Sequence, residues 1–173
     1  TLSNCHPADS RTVWTVGHST RPITEFLQIL QTAAITAVAD VRRFPGSRRY
    51  PHYNQQALTS SLDAAGIQYV WLPELGGRRR PRPDSPHMAW RNASFRGYAD
   101  YMDTDAFKQG IDRLTALAEE GRVALMCSEA LWWQCHRSLI SDYLKIRGHC
   151  VIHLLKPNKH EEHPYTAAAQ IVD

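Results

Sequence analysis

From Arg122 to Leu144 the chain reads RVALMCSEALWWQCHRSLISDYL, an apolar run that ends at one cysteine and an amphipathic stretch that begins just after another. Cys127, Glu129, Cys135, His136 and Arg137 therefore gather at one junction between a strand and a helix. A thiol beside a helix N-terminus, an imidazole and a guanidinium is favoured as its thiolate, the form that attacks electrophiles. Cys127 and Cys135 are thus candidate nucleophiles, with His136, His18 and Glu129 as acid–base groups. A second role stays open for both thiols, because free cysteine is among the most buried residue types and packs as a small apolar side chain.

Arginine supplies the other chemistry. Of the 20 basic residues, 16 are arginine, and half of those lie in VRRFPGSRR and GGRRRPR. The planar guanidinium grips phosphate or carboxylate through two parallel hydrogen bonds, which lysine does not match. Arg42, Arg43, Arg78 and Arg137 are expected to bind an anion, joined by Ser19. Asp40 and Arg42 are expected on opposite faces of a strand end, one toward the pocket and one tying down a loop. Glu74 is either a pocket acid or a counter-ion for the arginines. Trp132 and Trp133 are adjacent and cannot both face the core, so one is expected at the surface, available for stacking. Phe95, Tyr98 and Tyr101 follow at helical spacing and either line the pocket or fill the core.

These groups need elements to hold them. TVWTV (12–16) reads as a strand ending at GHST, followed by a helix with Thr20 as its cap and Ile23, Phe26, Leu27 and Leu30 on one face. ITAVADV (35–41) is a continuous apolar run, as in a strand covered on both sides. A helix from about Asn54 closes at Gly66, and IQYVWL (67–72) is the third strand. A long segment rich in Pro and Arg follows, then a helix carrying Phe107, Ile111, Leu114 and Leu117 that ends at Gly121. VALMC is the fourth strand, residues 137–147 a helix, and CVIHLL (150–155) the fifth strand, with a polar tail after Pro157. Alternating strands and helices predict an α/β fold, a three-layer sandwich with a mainly parallel sheet of about five strands and helices on both faces. The core spans about 12–156 of a single domain, 1–173. In such folds ligands sit beyond the carboxyl ends of the strands. Gly17-His18-Ser19, Asp40 to Arg43, Glu74 to Arg80 and Cys127 to Arg137 all fall on that one edge.

The bulk composition narrows the classes. Apolar residues make up 43% and charged residues 21% of the 173, an ordinary globular balance, and the net charge is only +3. No apolar run approaches the ~18–20 residues of a membrane span, and the N-terminus lacks a signal-peptide profile. The four cysteines are accordingly expected as reduced thiols in a cytoplasmic protein. Structural zinc sites use ligand pairs two to four residues apart; Cys127, Cys135 and His136 do not match, and a further ligand would have to come from Cys5 or His18. No metal and no cofactor is expected.

The segments TVGHSTRPITEFLQIL, VADVRRFPGSRRYPHYN, LPELGGRR, FRGYADYM and ALMCSEALWWQCHRSLI together resemble the bacterial family known as domain of unknown function 488, from about Val13 to Leu155. The resemblance implies a compact α/β domain with His18, Ser19, Asp40, Arg42, Glu74, Gly76, Gly77, Cys127, Glu129, Cys135, His136 and Arg137 as motif residues, and implies no activity. A looser likeness of layout links the chain to rhodanese-type sulfurtransferases and related phosphatases, in which a strand delivers Cys into an anion-cradling loop closed by Arg. Here nine residues separate Cys127 from Arg137, a longer loop than in those proteins.

The leading expectation is a small enzyme whose anionic, phosphate-bearing substrate, a nucleotide or nucleic acid, is held by arginines beside Cys127, Cys135 and His136. Two alternatives stand beside it: a cysteine sulfurtransferase, and a non-catalytic nucleic-acid-binding module that uses the arginine loops and exposed aromatics. The oligomeric state is not legible.

Overall fold

The computed structural model describes residues 11–77, 79, 83 and 93–164. Six strands form one sheet: β1 (Thr12–Gly17), β2 (Ala37–Asp40), β3 (Gln68–Trp71), β4 (Val123–Cys127), β5 (Cys150–Lys156) and β6 (Lys159–Glu162). Their order is β3-β2-β4-β1-β5-β6, with every pairing parallel except the antiparallel β5–β6 edge. Five helices pack on it: α1 (Ile23–Thr32), α2 (Gln55–Ala64), α3 (Ala93–Tyr101), α4 (Asp105–Glu120) and α5 (Arg137–Ile146).

Side chains alternate across a strand, so each buried strand feeds two cores. Val13, Ala39, Val41, Val123, Leu125 and Val151 pack against Tyr98 of α3, Phe107, Ile111 and Leu114 of α4, and Leu139, Ile140 and Leu144 of α5. Trp14, Val16, Val38, Ala124, Met126 and Ile152 meet Phe26, Ile29 and Leu30 of α1 and Leu58 and Leu62 of α2. Burial on both faces explains why these strands read as unbroken apolar runs. The expected α/β sandwich is therefore the observed one.

Three details differ from expectation. The segment after Pro157 is not a loose tail: it forms β6, and His163 beyond it is completely buried. Position 22, not Thr20, caps α1, and no side chain bonds its first turn. The sixth strand escaped notice because KHEE carries no apolar signal, and an edge strand needs none. Thr104 does cap α4, its Oγ1 accepting from Phe107 N at 3.3 Å. Gly66 closes α2 with φ +75°, which a residue bearing Cβ reaches only under strain.

β1 lies between β4 and β5, and β4 between β2 and β1. The chain leaving β1 turns toward α1 and β2, while the chain leaving β4 turns toward α5 and β5. The carboxyl ends of β1 and β4 thus diverge, which opens a crevice at this switch point. Among the described residues no helix is long and apolar enough to cross a membrane.

Candidate functional site

The crevice starts where Gly17 pairs with Cys127. The ladder runs one step further, His18 N donating to Cys127 O at 2.9 Å and Ser19 N to Ser128 O at 3.0 Å. Ser19 takes φ +48° to make this turn, a left-handed conformation that costs about 1–3 kcal/mol outside glycine. Gly17 is needed for a different reason: a Cβ there would lie 1.7 Å from the carbonyl oxygen of Glu129. The loop leaving β4 crosses directly over the end of β1.

The two thiols meet under that loop. Cys127 Sγ and Cys135 Sγ are 2.9 Å apart, and Arg137 N, at the first turn of α5, donates to Cys135 Sγ at 3.2 Å. Burial works to raise the Cys135 pKa. Hydrogen bonds from Cys127 and from the His136 ring, with the charges of His136 and Arg137, outweigh it and hold Cys135 well below the usual thiol range. Burial and the hydrogen bond to Cys135 push Cys127 well above that range. The arrangement separates the pair into one thiolate and one thiol that donates to it. His136 is oriented by Nε2–H donating to Val41 O at 2.8 Å, and Gly77 leaves room for the ring, since a Cβ there would stand 2.9 Å from its Nδ1.

Arg137, which the sequence led us to expect at an anion in the crevice, does not line it. It is 1% exposed and lies beneath the loop, with Nη2 donating to Glu129 O at 2.7 Å and Ala130 O at 3.2 Å and Nη1 to Thr15 Oγ1 at 3.2 Å. Its Nε has no partner. Among the described residues no carboxylate pairs with it, and a buried unpaired guanidinium costs several kcal/mol. Negative charge on the Cys127–Cys135 pair is what offsets it, raising the Arg137 pKa against the effect of burial.

The opposite wall is built on a buried ion pair. Arg42 Nε and Nη2 donate to the two carboxylate oxygens of Asp40 at 2.9 and 2.7 Å, and Tyr69 Oη donates to Asp40 Oδ2 at 2.5 Å. This corrects the expected division of Asp40 and Arg42 to opposite faces, because positions i and i+2 of an extended chain share a face. Asp40 is fully buried and fixes Arg42, whose Nη1 also donates to Tyr53 O at 2.8 Å. His18 stacks on Tyr53 with ring centroids 4.2 Å apart, and its Nδ1–H donates to Ser19 O at 2.9 Å. Its free Nε2 faces Arg42 Nη1 at 3.5 Å. Burial, helped by the Arg42 charge, lowers the His18 pKa to about 4. The ring is a neutral acceptor at neutral pH.

Between these walls is a cleft of about 880 Å³. His18, Ser19, Arg42, Arg43, Cys127, Glu129, Cys135 and His136 all line it, so the sequence-predicted groups converge apart from four. Asp40 lies behind Arg42 and Arg137 beneath the thiols. Glu74 lies outside the cleft, paired with Arg113 at 2.9 Å. Arg78 lies outside the described residues.

Phe95 and Tyr98 give the cleft an aromatic wall, and Tyr50, Arg49 and Gln134 complete it. Tyr50 and Gln134 were missed because nothing in their local pattern marks them. Trp132 is buried and stacks on His153 at 4.4 Å, whereas Trp133 is 50% exposed, as adjacency requires.

Behind Arg137 runs a buried polar chain that sequence reasoning also missed. Thr15 Oγ1 meets His153 Nδ1 at 2.5 Å, His153 Nε2 meets His163 Nδ1 at 2.8 Å, and His163 Nε2 meets Asp142 Oδ1 at 2.6 Å. The available signal was a polar residue in the middle of each of two apolar strands.

Among the described residues no cluster of three or more His, Cys, Asp or Glu is placed to hold a metal ion. Cys150, at the start of β5, is disulfide-bonded, so the expectation of four reduced thiols fails there; Cys127 and Cys135 are free.

No curated protein and no solved structure matches the chain. The profile described as "Domain of unknown function DUF488" matches residues 22–144, from the start of α1 into α5, and so takes in Asp40, Arg42, both thiols, His136 and Arg137. The match covers well over half of the chain, and the protein belongs to the family of the domain of unknown function DUF488.

Proposed function

We propose that the protein is a small enzyme that takes an anionic, phosphate-bearing molecule of nucleotide size into the cleft and attacks it with Cys135. The observation that carries this reading is the shared lining: Cys135 borders the same space as Arg42, Arg43 and Arg49. Arg43 and Arg49 supply forked donors for phosphate, while Arg42, held by Asp40, sets a fixed positive field. Phe95 and Tyr98 offer a face for a base or another flat group. The volume suits a ligand of that size, since small-molecule pockets run about 300–1,000 Å³. His136 is placed to exchange protons with a leaving group at the thiolate.

The test is protection. Alkylation of Cys135 by iodoacetamide is timed with and without millimolar inorganic pyrophosphate or adenosine triphosphate. Protection that weakens in an Arg43→Ala/Arg49→Ala variant supports the reading. Alkylation that ignores both the ligand and the arginines removes it.

A second reading, nucleic-acid binding without turnover, draws on Phe44, which lines the cleft, is 62% exposed and has the Arg43 guanidinium 5.4 Å over its ring. It requires affinity for single strands that falls steeply with salt and survives alkylation of both thiols.

A further inference from the structure

A nucleophile alone needs one cysteine, yet the cleft holds two. Their surroundings differ, and their geometry joins them. Cys135 lies next to the first turn of α5 and takes the Arg137 backbone N–H, whereas Cys127 ends β4 at 1% exposure. The sulfurs are 2.9 Å apart, so a bond between them needs a movement of about 1 Å, given a disulfide length near 2.05 Å. The connecting residues 128–134 hold no α-helix or strand, only a short 3-10 turn at Trp132–Gln134, so the link imposes no break in the sheet or in α5. The charge beneath them also counts. Arg137 stabilises a thiolate on either sulfur, whichever of the two is negative during exchange.

We infer that Cys135 and Cys127 are the attacking and resolving thiols of a two-electron reduction, and that the substrate is a disulfide carried by a phosphate-bearing molecule. The phosphate half of this inference rests on the proposed function; the dithiol half rests only on the sulfur geometry.

The steps balance. Cys135 Sγ⁻ attacks one sulfur of R–S–S–R; that bond breaks, R–S⁻ leaves with the electron pair, and Cys135 is left in a mixed disulfide with the other half. Cys127 gives its proton to the departing R–S⁻, and its thiolate attacks Cys135 Sγ. The mixed disulfide breaks, and the second R–S⁻ leaves and takes a proton from water. Two R–SH are formed, the substrate gains two electrons, and the protein holds a Cys127–Cys135 disulfide. A dithiol reductant of the thioredoxin class returns the pair to thiols by the same exchange in reverse.

The position of Cys127 explains why the order is fixed. It is the more deeply buried of the two, 1% exposed against 6% for Cys135, and it keeps its proton until the mixed disulfide forms, so it does not compete for the substrate.

The full chain, reduced and desalted, is mixed with coenzyme A disulfide, glutathione disulfide or the neutral hydroxyethyl disulfide. Product thiol and intact mass are followed. The wild-type protein is expected to lose two hydrogens, retain no adduct and release two thiols per chain, with the link inside tryptic peptide 123–137. Cys127→Ser is expected to trap a single mixed disulfide on Cys135, and Cys135→Ser to react at least ~100-fold more slowly. Coenzyme A disulfide is expected to react at least ~10-fold faster than hydroxyethyl disulfide at low salt.

A wild-type protein that keeps its adduct, or forms no link in peptide 123–137, overturns the dithiol couple, even where pyrophosphate still protects Cys135 and the proposed function stands. A link that forms equally fast with the neutral disulfide overturns the substrate assignment, while the dithiol couple survives and protection by pyrophosphate decides the anion reading separately. The wild-type result alone decides the first point, so a variant that fails to fold leaves the inference exposed to refutation.

Discussion

Arg137 Nη1 reaches Thr15 Oγ1 at 3.2 Å, and through this contact the thiol pair is joined to a chain that ends at Asp142 in the middle of α5. Thr15 is the hinge of that connection, because its hydroxyl touches both the guanidinium and His153. The histidines at positions 153 and 163 are wholly buried, so each nitrogen must find a partner inside the protein, and each does.

Breaking this chain should cost stability before it costs chemistry. His163→Ala removes the partner of His153 Nε2 and one partner of Asp142 Oδ1. A loss of about 2–4 kcal/mol is expected, read as a Tm lower by roughly 5–15 °C. A Tm within a degree or two of wild type would show that water or a rearranged β6 replaces the lost bonds.

Thr15→Val addresses chemistry. The side chain keeps its shape and loses the hydroxyl that accepts from Arg137. The guanidinium is then less firmly held under Cys135, and the pH midpoint of Cys135 alkylation is expected to rise by about half a unit to one unit. Cys127→Ala removes the thiol that donates to Cys135 and should raise that midpoint further. An unmoved midpoint in both variants would leave the backbone N–H of Arg137 and His136 as sufficient causes.

The Asp40–Arg42 pair makes a sharper stability prediction. Asp40→Asn leaves a buried guanidinium with a neutral partner, and about 3–5 kcal/mol should be lost. Arg42→Lys keeps the charge but cannot span both carboxylate oxygens while also reaching Tyr53 O. It should lose less stability than Asp40→Asn and yet reduce protection of Cys135 by pyrophosphate. Chemical denaturation and the protection assay read the two effects separately.

Acid should unfold the protein through its buried histidines. His18 has its folded pKa lowered to about 4, chiefly by burial, and His153 to about 2, by burial and then the charges of His163 and Arg137. Unfolded histidine titrates near ~6.5. Above that pH neither state binds a proton and neither group affects stability. As pH falls from about 6.5 toward 4, the unfolded chain takes up protons that the folded one refuses, and stability drops by up to ~1.4 kcal/mol per pH unit for each histidine. Below pH 4 the His18 contribution levels off while that of His153 continues. Urea midpoints at pH 7.5, 6 and 5 should fall in that order, and less steeply in His18→Gln. A midpoint that rises on acidification contradicts the assignment.

Gly17→Ala is the simplest geometric check. The new Cβ would press 1.7 Å from a backbone oxygen of the loop, which cannot rotate away. The loop must lift, and with it the bonds that hold Arg137. A cost of about 1–3 kcal/mol is expected, together with faster alkylation of Cys127 as its cover opens. Circular dichroism melting and peptide mapping report the two.

Local patterns alone were enough for the layers, the parallel order of the helical crossovers and the edge at which chemistry gathers. Val13, Val38, Leu125 and Ile152 sit in runs that mark strands buried on both faces. Cys127 ends one of those strands and His18 and Arg42 follow two others, where a parallel sheet opens. Such features depend on hydrophobic periodicity and on where strands end, both of which are written along the chain. The partners were decided in three dimensions. Nothing near Arg137 in sequence says that it faces Thr15, 122 positions away, instead of the cleft. Nothing in KHEEH announces an edge strand that delivers His163 to Asp142. Which guanidinium is spent holding the fold and which faces a ligand depends on the packing of β1, β4, β5 and α5 around one another. Burial forces each polar group onto whatever partner that packing brings near, and the pairing is therefore a property of the assembled sheet and helices.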